Sequence, residues 1–317
     1  MEKEKILITG GAGYLGNVMT RKFLDEGFNV TCLDNFMYRQ DYSIFPLTSN
    51  PNFEFVYGDV RDNELLEKLV PQFDVIIPLA AIVGMPACKQ KPFDSQSINR
   101  DAIINLNRIR SKDQKLIFPN TNSGYGTKSG EYYCTEETPL EPISHYGIMK
   151  CEAEKDILES DKDAVVFRLA SVFGVSPRMR LELSFHDAVM QAITRKSIVV
   201  SEGDSTRNYI YIRDIADAFN YSINSYNSLT KGRVYNLGSD GANISKINLA
   251  KKVAEHIPGT IIYEDNITKD PDKRNYMVSN EKLRQAGFEA NTSIDKGIEE
   301  VTKAFSIILR NDPGRNM

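Results

Sequence analysis

Positive charge is not in excess in this chain. Its 317 residues hold 39 Lys and Arg against 43 Asp and Glu, a net charge of −4. Such a balance lacks the electrostatic footprint of a nucleic-acid or anionic-membrane binder, so neither is expected as a partner. A small anionic ligand stays open, since it needs only a local basic site. Cysteine is scarce. Cys32, Cys88, Cys134 and Cys151 are spaced like neither a zinc site nor a disulfide framework, so reduced thiols, no metal and a cytoplasmic location are expected. Long hydrophobic runs are missing too. No segment approaches the ~20 residues that span a bilayer, and the apolar run after MEKEK is too short for a signal peptide. Internal repeats and low-complexity segments are absent. What remains, at 41% hydrophobic and 26% charged, is ordinary globular material with enough apolar surface for a sizeable core.

The first half of the chain alternates short apolar runs with helical periodicity. Strands are expected over residues 5–9, 29–34, 53–57, 75–79, 116–119 and 164–169, with helical stretches such as NVMTRKFLDEG and NELLEKLV between them. Strand, helix, strand in succession implies a parallel sheet covered on both faces, with ligands at the carboxyl ends of the strands. Beyond residue 174 helices (185–194, 246–256, 295–307) mix with short strands (198–200, 209–212, 233–237). The expected division is residues 1–174 for the first unit and 175–310 for a smaller C-terminal lobe. The chain returns to the sheet near 205–220, and 311–317 form a frayed tail.

ILITGGAGYLGNVM places Gly10, Gly13 and Gly16 directly after the first strand and at the opening of the first helix. Gly10 permits the tight turn, Gly13 lets the backbone approach a pyrophosphate at the helix N-terminus, and Gly16 lets helix and strand pack closely. Asp34, in VTCLDN, falls ~20 residues later, where an acid hydrogen-bonds the adenosine ribose and repels a 2′-phosphate. NAD is therefore expected over NADP. Asp59, after the third strand, is placed near the adenine edge.

HYGIMKCEAEKDIL starts a helix in which Tyr146 and Lys150 stand four apart, on one face. A tyrosine hydroxyl has an ordinary pKa of about 10 and is a poor base at neutrality, but a nearby ammonium favours the phenolate. Such a pair can take a proton from a sugar hydroxyl while hydride leaves the same carbon.

Together TGGAGYLG, LD at Asp34, GDVRD, PLAA, SINRDA, TNSGYG, YGIMK, FRLASVFG, TRNYIYIRDIADA and YNLGS resemble the extended short-chain dehydrogenase/reductase family, in its nucleotide-sugar epimerase and dehydratase branch. The resemblance spans nearly the whole chain. It implies an α/β fold with a Rossmann-type doubly wound parallel sheet and a smaller C-terminal substrate-binding lobe. It implies NAD held by Gly10, Gly13, Tyr14, Leu15, Gly16, Asp34, Asn35, Asp59, Val60, Leu79, Ala80 and Ala81, with Tyr146 and Lys150. Tyr146 matches the catalytic tyrosine, Lys150 its lysine, Thr121 the catalytic hydroxyl residue and Asn99 a helix asparagine near the active site. Asn122, Ser123, Arg178, Arg180, Arg207 and Arg274 are expected on the substrate side. Arg207 matches the arginine that meets the substrate diphosphate, and Arg274 resembles a second. A homodimer or homotetramer is expected by the same analogy, through helices over 99–109 and 146–158 whose apolar residues include Ile148, Met149, Ala153 and Ile157.

Departures from the family pattern narrow the chemistry. Sugar 4,6-dehydratases place Asp and Glu after the catalytic Thr. Asn122 and Ser123 stand here, and neither an amide nor an ordinary hydroxyl is a competent acid or base near pH 7. Ser123 also replaces the Cys of the GDP-mannose 3,5-epimerase type, and Ile82 and Val83 leave PLAAIVG more apolar than in UDP-galactose-type C4 epimerases. The expected reaction is NAD-dependent oxidation of a nucleotide-diphospho-sugar at C4, with C4 epimerisation as the alternative and a non-catalytic NAD-sensing protein third. PLAAIVGMPACK, PNTNSGYG, CTEETPLEPIS and FGVSPRMRLEL resemble a bacterial group acting on GDP-linked heptose in capsular polysaccharide synthesis, which favours a GDP-linked substrate.

Overall fold

In the computed structural model of the protein, residues 3–39, 41–128, 133–231, 233–265, 267 and 275–308 are described. Arg274 lies outside them. The apolar runs form a seven-stranded sheet: β1 (Lys5–Thr9), β2 (Asn29–Asp34), β3 (Phe53–Tyr57), β4 (Val75–Pro78), β5 (Lys115–Thr121), β6 (Val165–Leu169) and β7 (Val234–Leu237). The order is β7-β6-β5-β4-β1-β2-β3, and every pairing is parallel. The reversal between β1 and β4 puts a crevice at the strand tips, where open α/β sheets bind ligands. Central strands are buried on both faces, as the runs ILI in β1 and VII in β4 require: Ile6, Leu7, Ile8, Val75, Ile76 and Ile77 are fully enclosed. This is the Rossmann-type sheet expected from the motifs.

Separate apolar clusters cover the two faces. One joins the helices Tyr14–Asp25 and Ile212–Asn224 to the sheet, and the other joins Asn63–Leu69, Ala102–Ile109 and His145–Glu159. Met149, Ala153 and Ile157 of the last helix are buried within the subunit, and Ile148 is the exposed member of that set. Three of the four apolar residues expected at a subunit interface thus pack into the chain's own core.

The return to the sheet differs from expectation. Thr206–Tyr211 does not join the main sheet. It pairs with Ser171–Phe173 and Asn243–Ser245 in a three-stranded sheet. The strand that rejoins is β7, on the far edge beside β6. Between them the helix Ile212–Asn224 packs against Tyr14–Asp25. The second lobe has its own core around Phe173, Phe185, Val189, Tyr209, Val253 and Phe305. Among the described residues no helix is long and apolar enough to cross a membrane.

Candidate active site

The turn after β1 is built by a close approach. Gly10 has φ +73°, and a Cβ there would lie 2.6 Å from the Ala80 nitrogen at the tip of β4. Its own N–H donates to Leu33 O on β2 at 2.8 Å, which locks three strand tips together. Gly13 caps the helix Tyr14–Asp25, and a Cβ on Gly16 would sit 2.3 Å from Gly10 O. Gly16 is therefore a packing glycine. Tyr14 and Leu15 turn their side chains the other way, into the apolar cores, and the buried Tyr14 hydroxyl donates to Gly174 O at 2.8 Å.

Above this turn lies an open cavity of about 690 Å³, including its mouth. Nine of the residues expected to hold the cofactor line it: Gly10, Gly13, Asp34, Asn35, Asp59, Val60, Leu79, Ala80 and Ala81. The Asp34 carboxylate accepts from the Ala12 N–H at 3.1 Å and the Phe36 N–H at 2.9 Å. Burial raises its pKa, and those two donors oppose the shift. Asp59 is held at about 2 chiefly by Arg61, and it also accepts from the Asn35 amide at 2.9 Å. A dinucleotide suits these residues. The wall without side chains at Gly10 and Gly13 admits a backbone-hugging pyrophosphate, and the Asp34 carboxylate stands one strand away for the ribose.

Asn99 enters this site indirectly. It is buried in a π-helical turn, Ser97–Asp101, and its amide grips the backbone of Ile82: Oδ1 accepts from Ile82 N at 2.9 Å, and Nδ2 donates to Ile82 O at 2.8 Å and to Ser95 Oγ at 3.2 Å. It thereby fixes Ile82 in the cavity wall. Asn99→Leu would strand the buried Ile82 N–H, while Ile82 O keeps the Cys88 thiol as a donor at 3.2 Å. The expected cost is about 1–3 kcal/mol for that one group, read by urea denaturation.

At the tip of β5 the chain turns into a short 3-10 segment, Asn122–Tyr125. The Thr121 hydroxyl donates to Ser123 Oγ at 2.9 Å and accepts from the Ser123 N–H at 3.1 Å. Asn122 is buried, and among the described residues neither of its amide atoms has a hydrogen-bond partner. Tyr146 sits in the first turn of His145–Glu159, capped by Ser144, and packs against Ile82, Cys88 and Ile98. Ile82 and Ile98 also line the cavity, while Tyr146, Lys150 and Thr121 are not among its lining residues. Lys150, one turn on, is buried with its ammonium 4.0 Å from the Phe118 ring centroid. Burial drives its pKa down to about 7, against smaller upward contributions from Cys151 and Glu154.

The arginines separate. Arg207, on Thr206–Tyr211, is buried with its guanidinium 6.0 Å from the Tyr276 ring centroid. Arg180 pairs with Glu182 at 2.7 Å, and its Nη2 lies 3.9 Å from where a Cβ on Gly84 would be. Arg178, expected with the substrate, is instead on the wall of the cofactor cavity. Its loop, anchored to Tyr14, turns it toward β2.

One buried charge pair has no counterpart in the sequence reading. Glu154 continues the Tyr146–Lys150 stripe by four residues, and its Oε1 accepts from Arg168 Nη2 at 2.6 Å, with both side chains almost fully enclosed. The signal was an arginine inside the otherwise apolar strand VVFRL.

With this geometry in place, the kinship is clear. The profile of the NAD dependent epimerase/dehydratase family matches residues 6–238, and the chain belongs to that family. It is a family of nucleotide-sugar enzymes, and the cofactor is NAD. Among curated relatives, the low-salt glycan biosynthesis protein Agl12 of Haloferax volcanii is 28% identical, over 93% of this chain and 96% of its own. A putative UDP-glucose 4-epimerase of Methanocaldococcus jannaschii is 24% identical over the same shares. Among solved structures, UDP-glucuronic acid 4-epimerase from Bacillus cereus, in complex with UDP-glucuronic acid and NAD, superimposes with a TM-score of 0.83. It is 23% identical, over 96% of this chain and 99% of that one, and it shares the fold.

Proposed function

We propose that this protein oxidises a nucleotide-diphospho-sugar at C4 to the 4-keto sugar. NAD, when bound, supplies the hydride acceptor. Tyr146 takes the proton of the sugar hydroxyl through its phenolate oxygen. The Lys150 ammonium, one turn along the same helix, favours that phenolate electrostatically. Thr121 holds the hydroxyl being deprotonated, because its own oxygen can relay a hydrogen bond toward Tyr146. Asn122 and Ser123 put no carboxylate beside the 4-keto product, so elimination of water lacks its acid and base. The observation that supports the reading is this last one: Thr121 at the β5 tip is followed by two neutral residues, with Tyr146 and Lys150 on the helix packed against that turn.

A second reading, C4 epimerisation, is supported by relatives named as 4-epimerases. It needs the same residues plus room for the keto-sugar to turn over. For the substrate, the quoted motifs support GDP-linked heptose or hexose, while the relatives' names carry UDP-sugars. Purified protein should therefore be incubated with GDP- and UDP-linked sugars, with NAD and a keto-acid acceptor, and the products weighed by mass spectrometry. Loss of two hydrogens is the expected result. An unchanged mass with a new stereocentre selects epimerisation, and loss of water overturns the argument from Asn122 and Ser123. Tyr146→Phe should lower turnover about 10²–10⁴-fold. Full activity in that variant would remove the proposed base.

A further inference from the structure

We infer that Arg178 is a cofactor ligand: its guanidinium binds the diphosphate of NAD and straps the dinucleotide into its cavity from the second lobe. The inference goes beyond the proposed reaction, and it moves this residue from the substrate side to the cofactor side. Arg178 lines the same cavity as Gly10, Gly13 and Asp34 although it follows them by well over a hundred residues. Its guanidinium carbon lies 4.7 Å from the Tyr38 ring centroid, on the loop after β2, so the side chain reaches across the cleft. Among the described residues no carboxylate forms an ion pair with it. Asp34, the nearest acid in the wall, is already engaged with the Ala12 and Phe36 backbone. Burial and the neighbouring Arg180 work against the guanidinium's charge, and Glu182, Tyr38 and Asp34 offset them only in part, so a bound anion would complete its neutralisation.

The loop that delivers Arg178 is pinned. Gly174 O accepts from the Tyr14 hydroxyl at 2.8 Å, and the Ser176 hydroxyl donates to Tyr14 O at 2.7 Å. Arg178 N–H donates to Ser176 Oγ at 3.3 Å. The fully buried His186 closes both ends of the loop: Nε2 accepts from the Gly174 N–H at 3.2 Å, which leaves Nδ1 to donate to Arg180 O at 2.7 Å. Tyr14 is itself the first residue of the helix that the glycine loop opens. The loop carrying Arg178 is thus tied to the backbone that cradles the diphosphate, and a guanidinium is the side chain suited to bridge its oxygens. A strap of this kind slows cofactor exchange, so NADH formed on the enzyme is reoxidised in place by a keto substrate more readily than replaced.

The test compares wild type, Arg178→Ala and Arg178→Lys as full-length protein stripped of nucleotide. Titration calorimetry with NAD, ADP-ribose, adenosine and NADP gives the affinities. The nucleotide that survives purification is quantified in parallel. Arg178→Ala should bind NAD and ADP-ribose about 10- to 100-fold more weakly, with adenosine unchanged and the nucleotide-free melting temperature preserved. Arg178→Lys should recover part of the loss. Unchanged NAD affinity with a raised KM for the nucleotide-sugar would return Arg178 to the substrate. A loss confined to NADP would make it a 2′-phosphate ligand. Either result overturns the inference.

Discussion

Lys150→Met is expected to abolish turnover and, at the same time, to raise the melting temperature. The first half follows from its role. Without the ammonium the Tyr146 phenolate of the proposed mechanism loses its electrostatic support, and the loss should be about 10³-fold or more at pH 7. The second half follows from burial. Lys150 is only 3% exposed, and its pKa is pushed down to about 7 from an ordinary value of about 10.4. Between those two pH values the unfolded chain holds a proton that the folded chain has released. Stability therefore rises with pH across the window, and the penalty of burying the ammonium is full below about pH 7. Methionine fills a similar volume against Phe118 with no charge to desolvate. The gain should be about 1–4 kcal/mol near pH 6–7, at roughly 2–4 °C per kcal/mol, and should shrink toward pH 10. Calorimetric melts of both proteins across that range check it. A variant that melts lower than wild type at every pH would show that Lys150 is not a desolvated charge held for function.

Much of this site was legible in the sequence because its logic is local. The glycine turn, Asp34 at the end of β2 and the four-residue spacing of Tyr146 and Lys150 each need only a strand or helix boundary, and those boundaries follow from apolar periodicity. What escaped was fixed by distant packing. Arg178 reads as one more basic residue in SPRMR until Tyr14 and His186 tie its loop over the cofactor cavity. Asn99 reads as an active-site amide, and nothing in SINRDA tells that both its amide atoms grip the Ile82 backbone. Periodicity also could not tell that Thr206–Tyr211 pairs with Ser171–Phe173 while β7 takes the sheet edge, because both runs are equally apolar and neither records its neighbour. The apolar stripe Met149, Ala153, Ile157 shows the same limit. A face that packs into the subunit has the same pattern as a face that meets another subunit.

The largest stability effect is expected from Arg168→Met. Arg168 is enclosed between β6 and the helix of Tyr146, where it grips Glu154 with two nitrogens and donates to the Tyr125 hydroxyl at 3.1 Å and Glu136 O at 3.0 Å. Removing it strands the Glu154 carboxylate with the Asn120 amide as its remaining hydrogen-bond donor. Breaking a buried pair from one side costs about 3–5 kcal/mol. The pH dependence then separates the partners. In Arg168→Met the stranded carboxylate can escape its charge by taking up a proton, so the deficit shrinks as pH falls. In Glu154→Leu the stranded guanidinium cannot shed its proton, so the deficit persists across the range. The double variant Glu154→Leu/Arg168→Met removes both charges and should recover at least half of the single-variant loss. The remainder falls on Asn120 and Tyr125, which lose hydrogen-bond partners. Urea denaturation of the three variants at about pH 5 and 8 gives the full comparison. Losses that simply add in the double variant would mean the two groups act independently. A coupled pair would instead mark the ion pair as the anchor that holds the Tyr146–Lys150 helix against β5 and β6.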